Sequence, residues 1–234
     1  MYESIDKKAS GGIGWRKYGP AVLPLAIAAA IFLVLYIIVF YGFIYIHKDS
    51  FVISPNASIV SMVLTLVSYA LLILYAIGIG KSPLLAAAML TSAMRIVMGF
   101  VIGIFSYREN QIKFVPNIYN YISIVIVFAF AFAGISLLAN PDKIRMAAGS
   151  AIIVLVLNVI MLIICVCQNI ESCREYLAAI EYLNLNEFFL KSLLHTVISS
   201  SLYYLSQILM CLSIAMISRK FKPDTTAPEL QLSN

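Results

Sequence analysis

The sequence predicts an all-α, polytopic integral membrane helix bundle of six transmembrane helices, with both termini on the cytoplasmic side. Three observations predict it. The 234 residues are 62% hydrophobic and only 12% charged, with a mean hydropathy of +0.96, whereas a soluble domain carries about 25% charged residues. The apolar residues gather into six runs, each long enough to cross about 30 Å of hydrocarbon at about 1.5 Å per helical residue. The basic residues sit in short clusters beside those runs, and the two sides share them unequally.

The first run, 20–46, follows a polar segment, 1–19, and is too long to be the h-region of a cleavable signal. The second, 57–80, and the third, 83–106, are joined through GKSP. A Pro-containing turn that short ties the two into an antiparallel hairpin. The fourth, 118–139, and the fifth, 147–167, are joined in the same way through NPDKIR. A longer loop, 168–192, leads to the sixth run, 193–217. In that loop Tyr176, Leu177, Ile180 and Leu183 share one helical face, with Glu175 and Glu181 off it. This pattern predicts a short amphipathic helix resting on the outer surface. The chain divides into a cytoplasmic segment 1–19, a membrane domain 20–217 and a cytoplasmic tail 218–234 that opens on the basic SRKFKPD.

Orientation follows from the flanks. The termini and the two short turns hold Lys7, Lys8, Arg16, Lys17, Lys81, Lys143, Arg145, Arg219, Lys220 and Lys222. The other side holds half as many, namely Lys48, Arg108, Lys113, Arg174 and Lys191. The excess places both termini in the cytoplasm of a cell membrane. The same distribution argues against nucleic acid as the partner of the net +5 charge, because the basic residues flank spans and form no continuous face. Trp15, Tyr18, Tyr41, Tyr45, Tyr119 and Tyr121 lie near span ends, as interfacial anchors do. Asn56-Ala57-Ser58 fits a glycosylation acceptor on the outer side.

The remaining basic residue is Arg95, half-way along the third span with no Asp or Glu in any span to balance it. Its guanidinium stays charged, and insertion at that depth costs about 2.5–3.5 kcal/mol. The expectation is therefore a buried arginine that meets backbone acceptors, a polar side chain, water or an anion. Ala87, Thr91, Arg95, Gly99 and Gly103 recur every four residues, and Gly99 with Gly103 forms a G-xxx-G pair that lets a helix approach.

The sixth span is the most polar. His195, Ser199, Tyr203 and Gln207 step by four along it, beside Thr196, Ser200 and Tyr204. Such a stripe, running inward from the outer interface, fits an outer-facing polar vestibule for a solute and fits interhelical hydrogen bonding equally. Asn158 interrupts the fifth span. The candidate ligand-binding residues are Arg95, Asn158, Tyr203, Gln207, Ser199 and His195. Ser61, Thr65, Ser68 and Tyr69 on the second span read mainly as packing.

Cys165, Cys167 and Cys173 cluster near the end of the fifth span, but their spacing matches neither C-x-x-C nor a structural zinc pattern, so no metal is assigned. No nucleotide, metalloprotease or serine-hydrolase motif occurs, and no carboxylate lies at membrane depth to serve acid–base chemistry. The sequence therefore predicts no enzyme and no cofactor.

Size, span count and orientation resemble the substrate-binding subunits of energy-coupling-factor transporters, with Ala26 and Ala30 supplying an A-xxx-A surface on the first span. The resemblance covers architecture, and no ligand motif carries over. It implies a separate energising membrane partner subunit. The expected function is that of a small transport-type or solute-binding membrane subunit, with Arg95 meeting an anionic small solute or a lipid headgroup. The alternative is a non-transporting accessory, scaffold or immunity protein whose polar residues are helix-packing contacts.

Overall fold

The structure, a computed structural model, describes residues 21–46, 55–78, 82–109, 117–183 and 187–217, with the backbone alone at 44 and over 55–58, 102–109, 176–183 and 187–191. The segments 1–19 and 218–234, the side chain of Asn56 and the apolar face drawn on 176–183 lie outside the described residues and side chains. Among the described residues the chain forms six α-helices, all long and apolar enough to cross a membrane.

Helix α1 spans Val22–Ile46. Helix α2 spans Pro55–Ala76, with proline at its first position, where the missing N–H costs no hydrogen bond. Gly78, at φ 87°, ends it in the left-handed conformation that favours glycine. Helix α3 runs Ser82–Glu109. Helix α4 spans Ile118–Ala139, the limits its apolar run predicts, because both ends are capped. Asn117 accepts from the Asn120 N–H at 3.1 Å, and Asn140 accepts from the Asp142 N–H at 2.9 Å as Pro141–Lys143 turns into the next helix.

Helix α5, Ile144–Leu183, has 40 residues and corrects the sequence reading. At about 1.5 Å per residue it is about 60 Å long, roughly twice the hydrocarbon thickness. The short surface helix expected in the 168–192 loop is instead a continuation of the fifth span. Between Gln168 and Leu183 there is no proline or glycine, so the apolar run stops while the helix goes on. Asn169 donates to the Cys165 carbonyl at 2.7 Å and covers the change from apolar to polar sequence. Helix α6, Glu187–Ile217, likewise begins before its apolar run.

Each helix packs on its neighbours in the chain, and α6 closes onto α1 to complete a ring. The α1–α6 pair is antiparallel and pinned by side chains on backbone carbonyls. Ser213 donates to Val22 at 2.9 Å, Ser206 lies 2.8 Å from the Ala29 carbonyl, and His195 Nε2 lies 3.1 Å from the Val39 carbonyl. Lipid is as apolar as a leucine side chain, so close packing and such hydrogen bonds hold membrane helices together. Small residues serve that packing in the half that carries Val22 and Ile217, where Ala26, Ala29, Ala86, Ala88, Ala147 and Ala151 are all buried. Ala26 is thus spent inside the ring, and the A-xxx-A surface predicted on the first span is not free for a partner. Large apolar side chains such as Ile38, Phe128, Phe132 and Ile163 cover the outside. An exterior of this kind is solvated by a bilayer, so the chain is a multi-pass membrane protein.

Candidate functional site

The opposite half of the ring, which carries the α1–α2, α3–α4 and α5–α6 connections, is not filled. A cavity of about 380 Å³ lies at its centre, and all six helices contribute to its wall. Helix α3 gives the most, because residues three and four apart share a face: Ser92, Arg95, Ile96, Gly99 and Phe100. Helix α4 adds Asn120, Ser123, Ile126 and Phe130, and α6 adds Tyr203, Tyr204 and Gln207. Tyr36 of α1, Ser61 of α2, and Asn158 and Met161 of α5 complete it. Asn120 stands in the first turn of α4, so the cavity reaches that end of the bundle.

The expectation of a buried Arg95 is overturned. Arg95 is half-buried and lines the cavity. Its guanidinium carbon stands 5.0 Å from the centroid of the Tyr203 ring, a cation–π contact of about 0.5–2 kcal/mol. No described residue hydrogen-bonds the guanidinium, and no Asp or Glu is among the described lining residues. A guanidinium that stays charged and finds no carboxylate keeps a face towards open space.

Tyr203 is itself held by Tyr36, with centroids 5.3 Å apart, and by Tyr204, edge-on at 5.4 Å. At the packed end of the cavity Gln207 Nε2 donates to Tyr69 Oη at 3.1 Å, and Tyr69 Oη lies 2.7 Å from Ser206 Oγ. Ser206 has one hydroxyl proton and the Ala29 carbonyl can only accept. Giving that proton to the carbonyl leaves Tyr69 to donate to Ser206, a chain that runs from Gln207 to the α1 backbone. Ser92 bonds Ser68, whose hydroxyl donates to the Ala88 carbonyl at 2.8 Å. Asn158 donates to the Val154 carbonyl of its own helix at 2.8 Å. The polar wall is thus fixed in place from behind.

Of the six sequence candidates, Arg95, Asn158, Tyr203 and Gln207 come together in this cavity and two do not. His195 stacks on Phe43 at 4.0 Å and faces the Val39 carbonyl, so it fastens α6 to α1. Ser199 is buried and bonds the Thr196 carbonyl of its own turn at 3.3 Å. The stripe on α6 therefore divides: one edge is interhelical glue and the other is cavity wall. Gly99 also departs from expectation. A Cβ there would meet nothing within 4 Å, so it borders open space and no helix. The close approach is made by Gly134, where a Cβ would stand 2.8 Å from Leu90 Cγ and 3.2 Å from the Ala86 carbonyl oxygen.

Sequence reasoning missed Tyr36, Ser92, Asn120 and Ser123. For Tyr36 a signal existed: tyrosines gather at membrane interfaces, and one in mid-span is unusual. Single serines in apolar helices carry no such signal, since most are packing contacts. The four cysteines are free thiols. Cys165 and Cys167, two apart on one helix, point about 200° from each other. Among the described residues no three His, Cys, Asp or Glu side chains gather. No protein-family model, no curated protein and no solved structure matches the chain.

Proposed function

We propose that the protein binds a small anion in the central cavity, as a transport-type or solute-binding membrane subunit with both termini in the cytoplasm and the cavity facing outward. One observation carries this reading: a permanently charged guanidinium lies in a cavity whose described lining contains no acid. An anion there offsets the cost of placing the charge in the membrane, and charge-assisted hydrogen bonds to Arg95 would hold it. Tyr203 positions the guanidinium, while Asn158 and Gln207 supply polar contacts beside it. The volume falls in the range of about 300–1,000 Å³ usual for small-molecule sites. The proposed role is binding without catalysis, since the described lining offers no His, Cys, Asp or Glu for proton transfer or nucleophilic attack. Transport would require an energising partner subunit.

The accessory or scaffold reading is favoured by the spending of His195, Ser206 and Ser213 on contacts between α1 and α6. The two differ over water. A binding subunit needs an accessible cavity around Arg95, and a scaffold does not. Single cysteines at Ser123, Tyr203 and Gln207, with the native cysteines replaced, separate them when a membrane-impermeant thiol reagent is added from outside. Labelling that reaches Gln207→Cys, is blocked by phosphate or butyrate and is lost from that block by Arg95→Gln supports anion binding. An unreactive Ser123→Cys in folded protein overturns it in favour of the scaffold.

A further inference from the structure

We propose that the anion is an organic monocarboxylate, held by Arg95 together with the hydroxyls of Tyr36, Tyr203 and Tyr204. This inference rests on the anion-binding reading above and adds the class of ligand and the tyrosines that bind it.

Three tyrosines gather at the guanidinium. The ring of Tyr203 has the Arg95 guanidinium carbon at 5.0 Å, the Tyr36 ring at 5.3 Å and the Tyr204 ring at 5.4 Å. All four side chains line the central cavity. No described residue hydrogen-bonds the hydroxyl of Tyr36, Tyr203 or Tyr204. Every fully buried side-chain N or O atom among the described residues has a partner. These three hydroxyls are therefore not fully buried, and the surface they line is that of the cavity. Tyr69 and Tyr119 are the contrast, with hydroxyls spent on Ser206 and Gln207 and on Gln168.

A second cavity, of about 170 Å³, lies between α1 and α2. Tyr36, Arg95 and Tyr203 line it too, with Ser61 and Thr65. The donor group thus stands between two chambers, and each of them has hydroxyls in its wall.

Ligand chemistry follows from the donors and from the charge. Phenol O–H groups and a guanidinium donate, and a carboxylate accepts at about four lone-pair sites on its two oxygens. One carboxylate can therefore take paired N–H groups from α3 and hydroxyl protons from α1 and α6. Charge sets the valence. Arg95 is the one formal charge in the described lining of either cavity. One negative charge leaves the pair neutral, whereas a dianion leaves a charge uncompensated at membrane depth, where charges are costly. The rest of the wall suits a carbon body. Ile96 and Phe100 on α3, with Ile126 and Phe130 on α4, stand beside Ser123 and Asn158. A bare inorganic ion would leave those apolar surfaces uncovered.

The test uses the full chain in nanodiscs, with Ser123→Cys as the reporter and the native cysteines replaced. Protection from a thiol reagent is titrated at about pH 8, where phosphate and succinate carry two charges. Butyrate and benzoate are expected to protect at concentrations about tenfold lower than succinate, phosphate or nitrate. Tyr36→Phe and Tyr204→Phe keep their rings and are each expected to weaken that protection about tenfold, the factor carried by loss of one hydrogen bond to a charged group. Tyr119→Phe is expected to leave it unchanged, and thermal unfolding confirms that all three variants fold. If phosphate, succinate or nitrate protects as well as benzoate, or if neither Tyr36→Phe nor Tyr204→Phe weakens protection by benzoate, the monocarboxylate site falls and the anion reading stands. If no anion protects, both fall.

Discussion

The half of the ring that carries Val22 and Ile217 and the half that carries the opposite connections are built from different side chains. In the first, alanines, Gly134 and serines bonded to facing carbonyls let the backbones come close. In the second, Tyr36, Phe100, Phe130, Tyr203 and Arg95 face the axis, and the space between them stays open. In this bundle small residues bring the helices together in one half, and aromatic, polar and charged residues line the open centre of the other. The protein joins the two at the level of Tyr69 and Gln207, where a hydrogen-bond chain seals the cavity against the packed half.

The largest test of this contrast is Arg95→Met. It removes about 2.5–3.5 kcal/mol of insertion cost, so membrane integration of the third span rises and the thermal midpoint of the purified protein does not fall. A clear fall would mean that Arg95 ties helices together and that the open half is packed after all. Next come the two glycines. Gly134→Ala is expected to cost about 1–3 kcal/mol by overpacking, and Gly99→Ala to cost nothing or to gain up to about 1 kcal/mol of helix propensity. Thermal unfolding of both in one detergent checks the pair, and equal effects would erase the difference between the halves. The tyrosines sharpen it further. Tyr69→Phe breaks the chain between Gln207 and Ser206 and is expected to cost about 1–2 kcal/mol, whereas Tyr203→Phe, at the cavity wall, stays within about 0.5 kcal/mol. The smallest effect belongs to His195→Phe. It keeps the stack on Phe43 and loses one bond to Val39, at about 0.6 kcal/mol, with no change in anion protection of Ser123→Cys.

Much of the fold was legible because hydropathy reports directly on what a lipid-facing helix must be. The run 118–139 matches α4 at both ends, since Asn117 and the Asn140-Pro141 pair mark the limits in sequence as well as in space. The end of α5 was not legible. Apolarity says where the membrane stops, and a helix without proline or glycine continues beyond it. At the site, Arg95, Asn158, Tyr203 and Gln207 stood out because polar groups at membrane depth are costly and so rarely incidental. The G-xxx-G motif pointed to Gly99 as the place of close approach, and only the neighbours show that Gly99 borders a cavity and Gly134 a helix.

The sequence by itself determined that six helices cross a bilayer and that one unbalanced charge lies among them, because both follow from the transfer cost of side chains taken one at a time. Tertiary structure decided which polar groups of α6 clasp α1 and which face the cavity, and that Arg95 borders open space. Those depend on which helix faces which, and a hydrogen bond from Ser213 to Val22 or a gap beside Ile37 exists only once two distant segments are brought together.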